Sequence, residues 1–115
     1  MIEYTIPKGT YEITIYMFLG NKSVQKINIP NSVKFLDSHA FFNCVSLTSI
    51  SIPNSVKEID SYAFYNCKSL TTINIPNSIE EIGLYAFEKC KSLQHIRMPN
   101  YFRYVFDDTC FVEFC

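Results

Sequence analysis

Apolar residues recur along this chain in a fixed order, and the order repeats every 23 residues. Units begin at Met1, Val24, Leu47, Leu70 and Leu93, so position 1 is apolar throughout. Position 4 holds Tyr4, Ile27, Ile50, Ile73 and Ile96, and position 6 holds Ile6, Ile29, Ile52, Ile75 and Met98. Such alternation predicts a strand with positions 4 and 6 on one face and positions 3 and 5 on the other. Position 7 is always proline (Pro7, Pro30, Pro53, Pro76, Pro99), which has no N–H to donate and so ends the strand. Asn-Ser follows in the three central units, as Asn31-Ser32, Asn54-Ser55 and Asn77-Ser78. These short polar side chains predict a turn, and stacked copies are expected to bond one another along the array. Apolar residues return at position 10 (Val33, Val56, Ile79) and position 13 (Leu36, Ile59, Ile82), predicting a second extended piece. Ala40-Phe41, Ala63-Phe64 and Ala86-Phe87 then mark a tight helical turn, closed by Cys44, Cys67 and Cys90.

A period of ~20–50 residues is the signature of a solenoid, in which each unit hides its apolar face only against its neighbours. The predicted fold class is a β-rich α/β repeat solenoid, one domain over residues 1–115. Its units are 1–23, 24–46, 47–69, 70–92 and 93–115. Parallel pairing between coils sets their spacing at ~4.7–4.9 Å.

The form L-x-x-I-x-I-P-N-S-V-x-x-I-x-x-x-A-F-x-x-C-x-S resembles the leucine-rich repeat family, specifically its 23-residue BspA-like class, closely over Val24 to Ser92 and loosely at both ends. The resemblance implies a right-handed coil of five turns, with a parallel sheet on the concave face and short helical or irregular turns on the convex side. It also implies kinship with proteins of bacterial surfaces and of protozoan parasites, where attachment to host proteins is the commonest suggested role.

The end units depart from the pattern. Asn21 replaces the cysteine in the first, and Thr10 to Tyr16 alternates over seven residues, predicting a strand that caps the stack. The fifth has Thr109-Cys110 for Ala-Phe and is rich in rings, among them Tyr101, Phe102, Tyr104, Phe106, Phe111 and Phe114. Either these rings fold over the last coil, or they form an end that pairs with a second molecule; a lone cap would show a polar outer face.

Composition narrows the function classes. With 48% hydrophobic residues and a net charge of −1, the chain has a folded core and lacks the basic stripe of a nucleic-acid binder. No stretch approaches the ~18 apolar residues of a membrane span. Ile13 to Leu19 is apolar, but Glu3 and Glu12 precede it and no small-residue cleavage site follows, so it reads as mature structure. The resemblance implies a cell-surface or secreted protein, and a cytoplasmic one is the alternative.

Candidate chemistry is sparse, and no cofactor is expected. Three of the five cysteines obey the repeat, as small buried apolar residues would. Stacked ~4.8 Å apart, their sulfurs are too distant for tetrahedral zinc with its ~2.3 Å bonds, so no metal site is expected. Cys110 and Cys115 lie off the ladder and can bridge each other or another chain under oxidising conditions. His39 lies near Cys44 in sequence, but Tyr62 and Tyr85 hold the equivalent position beside the other cysteines, which argues against a Cys–His nucleophile. Asp107-Asp108 has no partner for acid–base work, and a Gly-rich phosphate loop is absent. The chain reads as a non-catalytic module.

What fails to repeat are the outward positions 2, 3 and 5 of the strand. These binding candidates are Gln25, Lys26 and Asn28; Thr48, Ser49 and Ser51; Thr71, Thr72 and Asn74; and Gln94, His95 and Arg97. Positions 1 to 8 of units 2 to 5 contain no acid. The expected partner is a protein, met in adhesion or recognition. Alternatives are an intracellular scaffold or regulatory subunit, or a structural piece of a longer array.

Overall fold

The computed structural model of the protein describes residues 1–99 and the strand Phe111–Phe114. Positions 3 to 5 of each unit form strands as their alternation predicts: β1 (Glu3–Thr5), β3 (Lys26–Asn28), β5 (Ser49–Ser51), β7 (Thr72–Asn74) and β9 (His95–Met98). Positions 12 and 13 form a second set: β2 (Glu12–Ile13), β4 (Phe35–Leu36), β6 (Glu58–Ile59) and β8 (Glu81–Ile82). The strand pairings among the described residues are parallel and in repeat register, so Tyr4 lies opposite Ile27 and Ile27 opposite Ile50. The fold is a parallel-sheet solenoid with little helix, four coils being described in full. β10 (Phe111–Phe114) pairs in parallel with β9, Phe111 opposite His95.

The second set makes one continuous sheet, β2-β4-β6-β8, but the first is interrupted. It runs β1-β3-β5, then resumes as β7-β9-β10, with no pairing between β5 and β7. Elsewhere the residue at position 2 donates to the preceding coil, as Gln25 N does to Ile2 O (2.8 Å), Thr48 N to Gln25 O (2.9 Å) and Gln94 N to Thr71 O (2.9 Å). Thr71 N has no such bond. At the other end of the strand, Ile6 N and Ile75 N reach Asn28 O and Arg97 O, whereas Ile29 N and Ile52 N reach no neighbour.

The segment around Ala-Phe differs from the helical turn expected. His39, Tyr62 and Tyr85 at position 16 are left-handed, with φ of 62°, 59° and 59°, as are Asn43, Asn66 and Lys89 at position 20. Phe41 N donates to Ala63 O and Phe64 N to Ala86 O, both at 2.7 Å, while His39 N and Asn43 N reach Ser61 O and Tyr65 O. The turn is thus a third ladder between coils. Left-handed backbone is costly for bulky side chains, roughly 1–2 kcal/mol each, and the intercoil bonds offset that cost.

Apolar positions 1, 10, 13, 17, 18 and 21 of the central units fill one core, and among the described residues no polar or charged residue is buried. Phe18, Phe41, Phe64 and Phe87 stack along its length at centroid separations of 5.3, 5.0 and 5.1 Å. The cysteines lie beside them. Cys67 Sγ donates to Phe41 O (3.2 Å) and Cys90 Sγ to Phe64 O (3.1 Å), so each thiol satisfies a carbonyl of the preceding coil.

Three expectations fail for identifiable reasons. Thr10 to Tyr16 is no continuous cap strand; only Glu12–Ile13 pairs, with β4, and the helix α1 (Ile15–Phe18) follows. Stacking on the second coil imposes the coil's path there, and Phe18 must turn in to join the ring stack. Tyr4 is 44% exposed, because no coil precedes it, and only its edge meets Phe18. The Asn-Ser positions do not bond one another. Ser32 Oγ accepts from Gly9 N (3.1 Å), while Ser55 Oγ and Ser78 Oγ are buried without a protein partner. A bond between two asparagines does cross coils, Asn66 Nδ2 to Asn43 Oδ1 (3.1 Å), but in the turn ladder.

Candidate functional site

The backbone register brings the predicted face together. Lys26, Ser49, Thr72 and His95 share one row, and Asn28, Ser51, Asn74 and Arg97 share the next, with the residues of β5, β7 and β9 exposed. Positions 3 and 5 point outward because position 4 is held inward by the core.

The twelve residues are not equivalent. Gln25 Oε1 accepts from Ile2 N (2.8 Å), Asn28 Nδ2 donates to Thr5 Oγ1 (3.2 Å) and to Glu3, and Thr48 Oγ1 donates to Gln25 O (3.1 Å). These side chains tie the second coil to its neighbours. Ser49, Ser51, Thr72 and Asn74 have no such bonds among the described residues and offer their groups to solvent. Two grooves lie here. One of about 550 Å³ follows the Pro-Asn turns and is lined by Ser51, Asn54, Asn74, Asn77 and Arg97 among others. The other, about 260 Å³, crosses β5, β7 and β9 over Ser51, Thr72 and Asn74. Neither lining holds an acid.

The second sheet carries the acids. Glu58 is the register partner of Glu81, and with Asp60 and Glu80 they line a groove of about 260 Å³. One coil earlier, burial, the charge of Glu12 with a hydrogen bond to it, and then the charge of Asp60 together push the Asp37 carboxyl up to about 6. In the unfolded chain an Asp titrates near 3.9. Between these values the unfolded state ionises first, so Asp37 lowers stability as pH rises from about 4 to 6, and the loss persists above. After discounting for solvent screening at this half-buried site, the effect is about 1 kcal/mol. Asp37→Asn is expected to raise the melting temperature at pH 7.5 by a few degrees and to flatten its dependence over that pH window. Thermal melts at pH 4, 5, 6 and 7.5 check this; an Asn variant that tracks the parent overturns it.

Among the described residues, nothing assembles for nucleophilic catalysis around Cys44. It is fully buried, and burial pushes its thiol up to about 11. His39 instead meets Ser38 Oγ at 2.7 Å and stacks on Tyr62 at 4.9 Å. No group of His, Cys, Asp or Glu among the described residues is placed to hold a metal ion. No helix among them is long and apolar enough to cross a membrane. Cys110, Cys115, Tyr101, Phe102, Tyr104 and Phe106, and the side chains of Phe111 and Phe114, lie outside the described residues.

A second surface feature was not singled out from the sequence. Rings at positions 16 and 19 form a double row along the turn ladder: His39, Tyr62 and Tyr85 in one, Phe42 and Tyr65 in the other, with Phe42 and Tyr65 stacked at 5.1 Å. The signal is a ring recurring three residues apart in consecutive units. The rings stack mainly on one another, as the side chains of a rigid turn would.

Comparison with known proteins agrees with this architecture. A family model described as BspA type Leucine rich repeat region matches residues 1–114, in six copies. Among solved structures, a leucine-rich repeat protein from Bacteroides ovatus is 28% identical, with a TM-score of 0.85 over 100% of this chain and 36% of its own. A leucine rich cell surface protein from Faecalibacterium prausnitzii is 26% identical, with a TM-score of 0.82 over 97% of this chain and 31% of its own. The leucine rich repeat protein TpLRR of T. pallidum is 28% identical, with a TM-score of 0.64 over 84% of this chain and 58% of its own. The chain thus spans about a third of the first two. No curated protein matches it. With the 23-residue register, the parallel ladders and a family match over nearly every residue, the chain belongs to the BspA-type leucine-rich repeat family.

Proposed function

We propose that this chain is a non-catalytic protein-interaction module that binds a protein partner through its strand face, in adhesion or recognition at a cell surface. One observation carries the reading: a rigid, repeating frame presents a non-repeating row of polar side chains at positions 3 and 5. Repetition explains the core, whereas the outward residues change from coil to coil, as Lys26, Ser49, Thr72 and His95 do along one row. Solenoids of this kind use extended surfaces to bind partners, and the fold is a typical non-enzymatic scaffold. The surface location rests on the structural neighbour from Faecalibacterium prausnitzii, a cell surface protein. Large aromatic anchors of the hot-spot kind are missing from this row, so affinity spreads over many polar contacts and is modest.

The test is an unbiased pull-down with the folded domain beside a variant carrying Lys26→Glu, Thr72→Glu and Arg97→Glu. The variant is expected to melt within a few degrees of the parent and to lose the partner. A partner retained equally by both would move the site elsewhere.

A further inference from the structure

The first coil is the apolar end of the described molecule. Of the nine large apolar side chains exposed among the described residues, seven belong to it, including Ile2 at 55%, Tyr4 at 44% and Leu19 at 63%. Clustered exposure of this kind marks an interaction surface. The backbone is open there as well. β1 ends the sheet β1-β3-β5 and β2 ends the sheet β2-β4-β6-β8, so one coil carries a free edge of both. In later coils the amide at position 3 donates to the coil before, as Lys26 N does to Ile2 O (3.2 Å), Ser49 N to Gln25 O and His95 N to Thr71 O (both 3.3 Å). Position 6 faces the other way, Ile6 N donating to Asn28 O (3.0 Å). Backbone groups alternate in direction along a strand, so Glu3 and Thr5 turn their N–H and C=O groups out from the stack. Charge ordinarily blunts such an edge. Here both edge acids lean back onto the second coil: Asn28 Nδ2 donates to Glu3, and Glu12 is hydrogen-bonded to Asp37. Gln25 Oε1 accepts from Ile2 N (2.8 Å), which leaves Glu3 as the first free residue of the edge.

We propose that two copies of this chain pair through their first coils in an isologous dimer, β1 running antiparallel to the partner's β1 with Tyr4 on the twofold axis. In that register Glu3 stands opposite the partner's Thr5. Both residues direct their backbone groups at each other and exchange N–H···O bonds at each end of the strand, with Tyr4 and the partner's Tyr4 between them. Neighbouring registers fit worse. Centring on Glu3 would oppose two carboxylates, and centring on Thr5 would set Glu3 against Pro7, which has no N–H. Tyr4 lies on the core side with its ring edge toward Phe18 (5.4 Å), so the paired tyrosines close the core between the two copies. A second copy is the occupant that brings both a matching edge and an equally apolar surround, and a closed twofold pair leaves neither unmatched. The axis is perpendicular to the sheet, so both strand faces lie on one side of the dimer. A partner that reaches both rows from Lys26 to His95 gains avidity without any new contact.

Sedimentation over a range of concentrations is expected to show a single reversible step from 13.4 kDa to twice that mass. In Tyr4→Cys the substituted position meets its own copy at ~4.5 Å between Cα atoms, within disulfide reach. Oxidised glutathione is expected to link this variant into a dimer whose joined peptides, located by mass spectrometry, both contain position 4. Thr5→Pro removes an N–H that the monomer gives to solvent, a change that an edge strand tolerates. It is expected to raise the dissociation constant of the dimer about tenfold or more, while the melting temperature of the dilute protein moves little. Should that variant fail to fold, amide exchange in the parent decides: Glu3 and Thr5 are expected to slow as concentration rises. A monomer at every concentration, oligomers that keep growing head to tail, a dimer unmoved by Thr5→Pro, exchange at Glu3 and Thr5 that ignores concentration, or links confined to Cys110 and Cys115 would each overturn the proposal. The strand-face reading does not depend on the dimer and stands or falls by the pull-down.

Discussion

Phe64→Asp is expected to abolish the folded state at room temperature, while Ser49→Asp leaves the melting temperature within a few degrees of the parent. Phe64 is fully buried and sits between Phe41 and Phe87, 5.0 and 5.1 Å from their centroids. Removing the ring costs about 3–5 kcal/mol. Burying a carboxylate in its place adds several more, since among the described residues the core holds no polar or charged residue. Domains of this size hold only ~5–15 kcal/mol in total. The ring stack is also how one coil holds the next, so the lesion is shared by its neighbours rather than confined to one unit. Ser49 faces solvent on β5, where Asp gains hydration and meets Lys26 as its register neighbour. Circular dichroism melts of the three proteins decide it, and indistinguishable curves would overturn the inward and outward assignment.

The second large effect is kinetic. Cys44 and Cys67 are wholly buried and Cys90 nearly so. Burial is the main reason that the Cys67 thiol is pushed far up, with the charges of Cys90 and Cys44 adding to it. At neutral pH a thiol near 11 forms roughly a hundredfold less thiolate than one near the ordinary value, and only thiolate attacks. Disulfide reagents are expected to modify these three at least ~100-fold more slowly in buffer than in denaturant. Mass spectrometry after timed labelling locates the modified residues. Rapid labelling of Cys67 in the folded protein would contradict the buried ladder and its sulfur bond to Phe41 O.

Sequence alone carried the frame because the repeat confines each residue type to one job. Ile27 and Ile50 alternate with polar neighbours, Pro30 and Pro53 stop strands, and Phe41 and Phe64 recur at a fixed place, so inside and outside follow from periodicity. Departures from the frame were less visible, because they depend on relations between coils rather than on residue types. The left-handed backbone at Tyr62 is one case, since tyrosine carries no local signal for that conformation and adopts it to serve the intercoil bonds. The Asn43–Asn66 bond is another; Asn at position 8 looked like the better ladder, but the coils bring position 20 within reach instead. The close approach of the third and fourth coils at Gly83 is a third. A glycine at position 83 is visible in the sequence, but its consequence appears only when a Cβ is placed against Ser61.

Backbone bonds between coils join residues 22 to 24 apart and recur from coil to coil at an interval of 23, as in the run Glu80 N to Lys57 O and Lys57 N to Lys34 O. A block of DNA encoding 23 residues can therefore be excised or duplicated, and the flanking coils meet in the register they already use. Recombination between near-identical units becomes a way of changing length without new strain. Because core and strand-face residues alternate within each block, drift at Lys26, Ser49, Thr72 and His95 is uncoupled from the packing that keeps the array folded. A lineage can thus lengthen the protein and diversify its recognition face by separate routes.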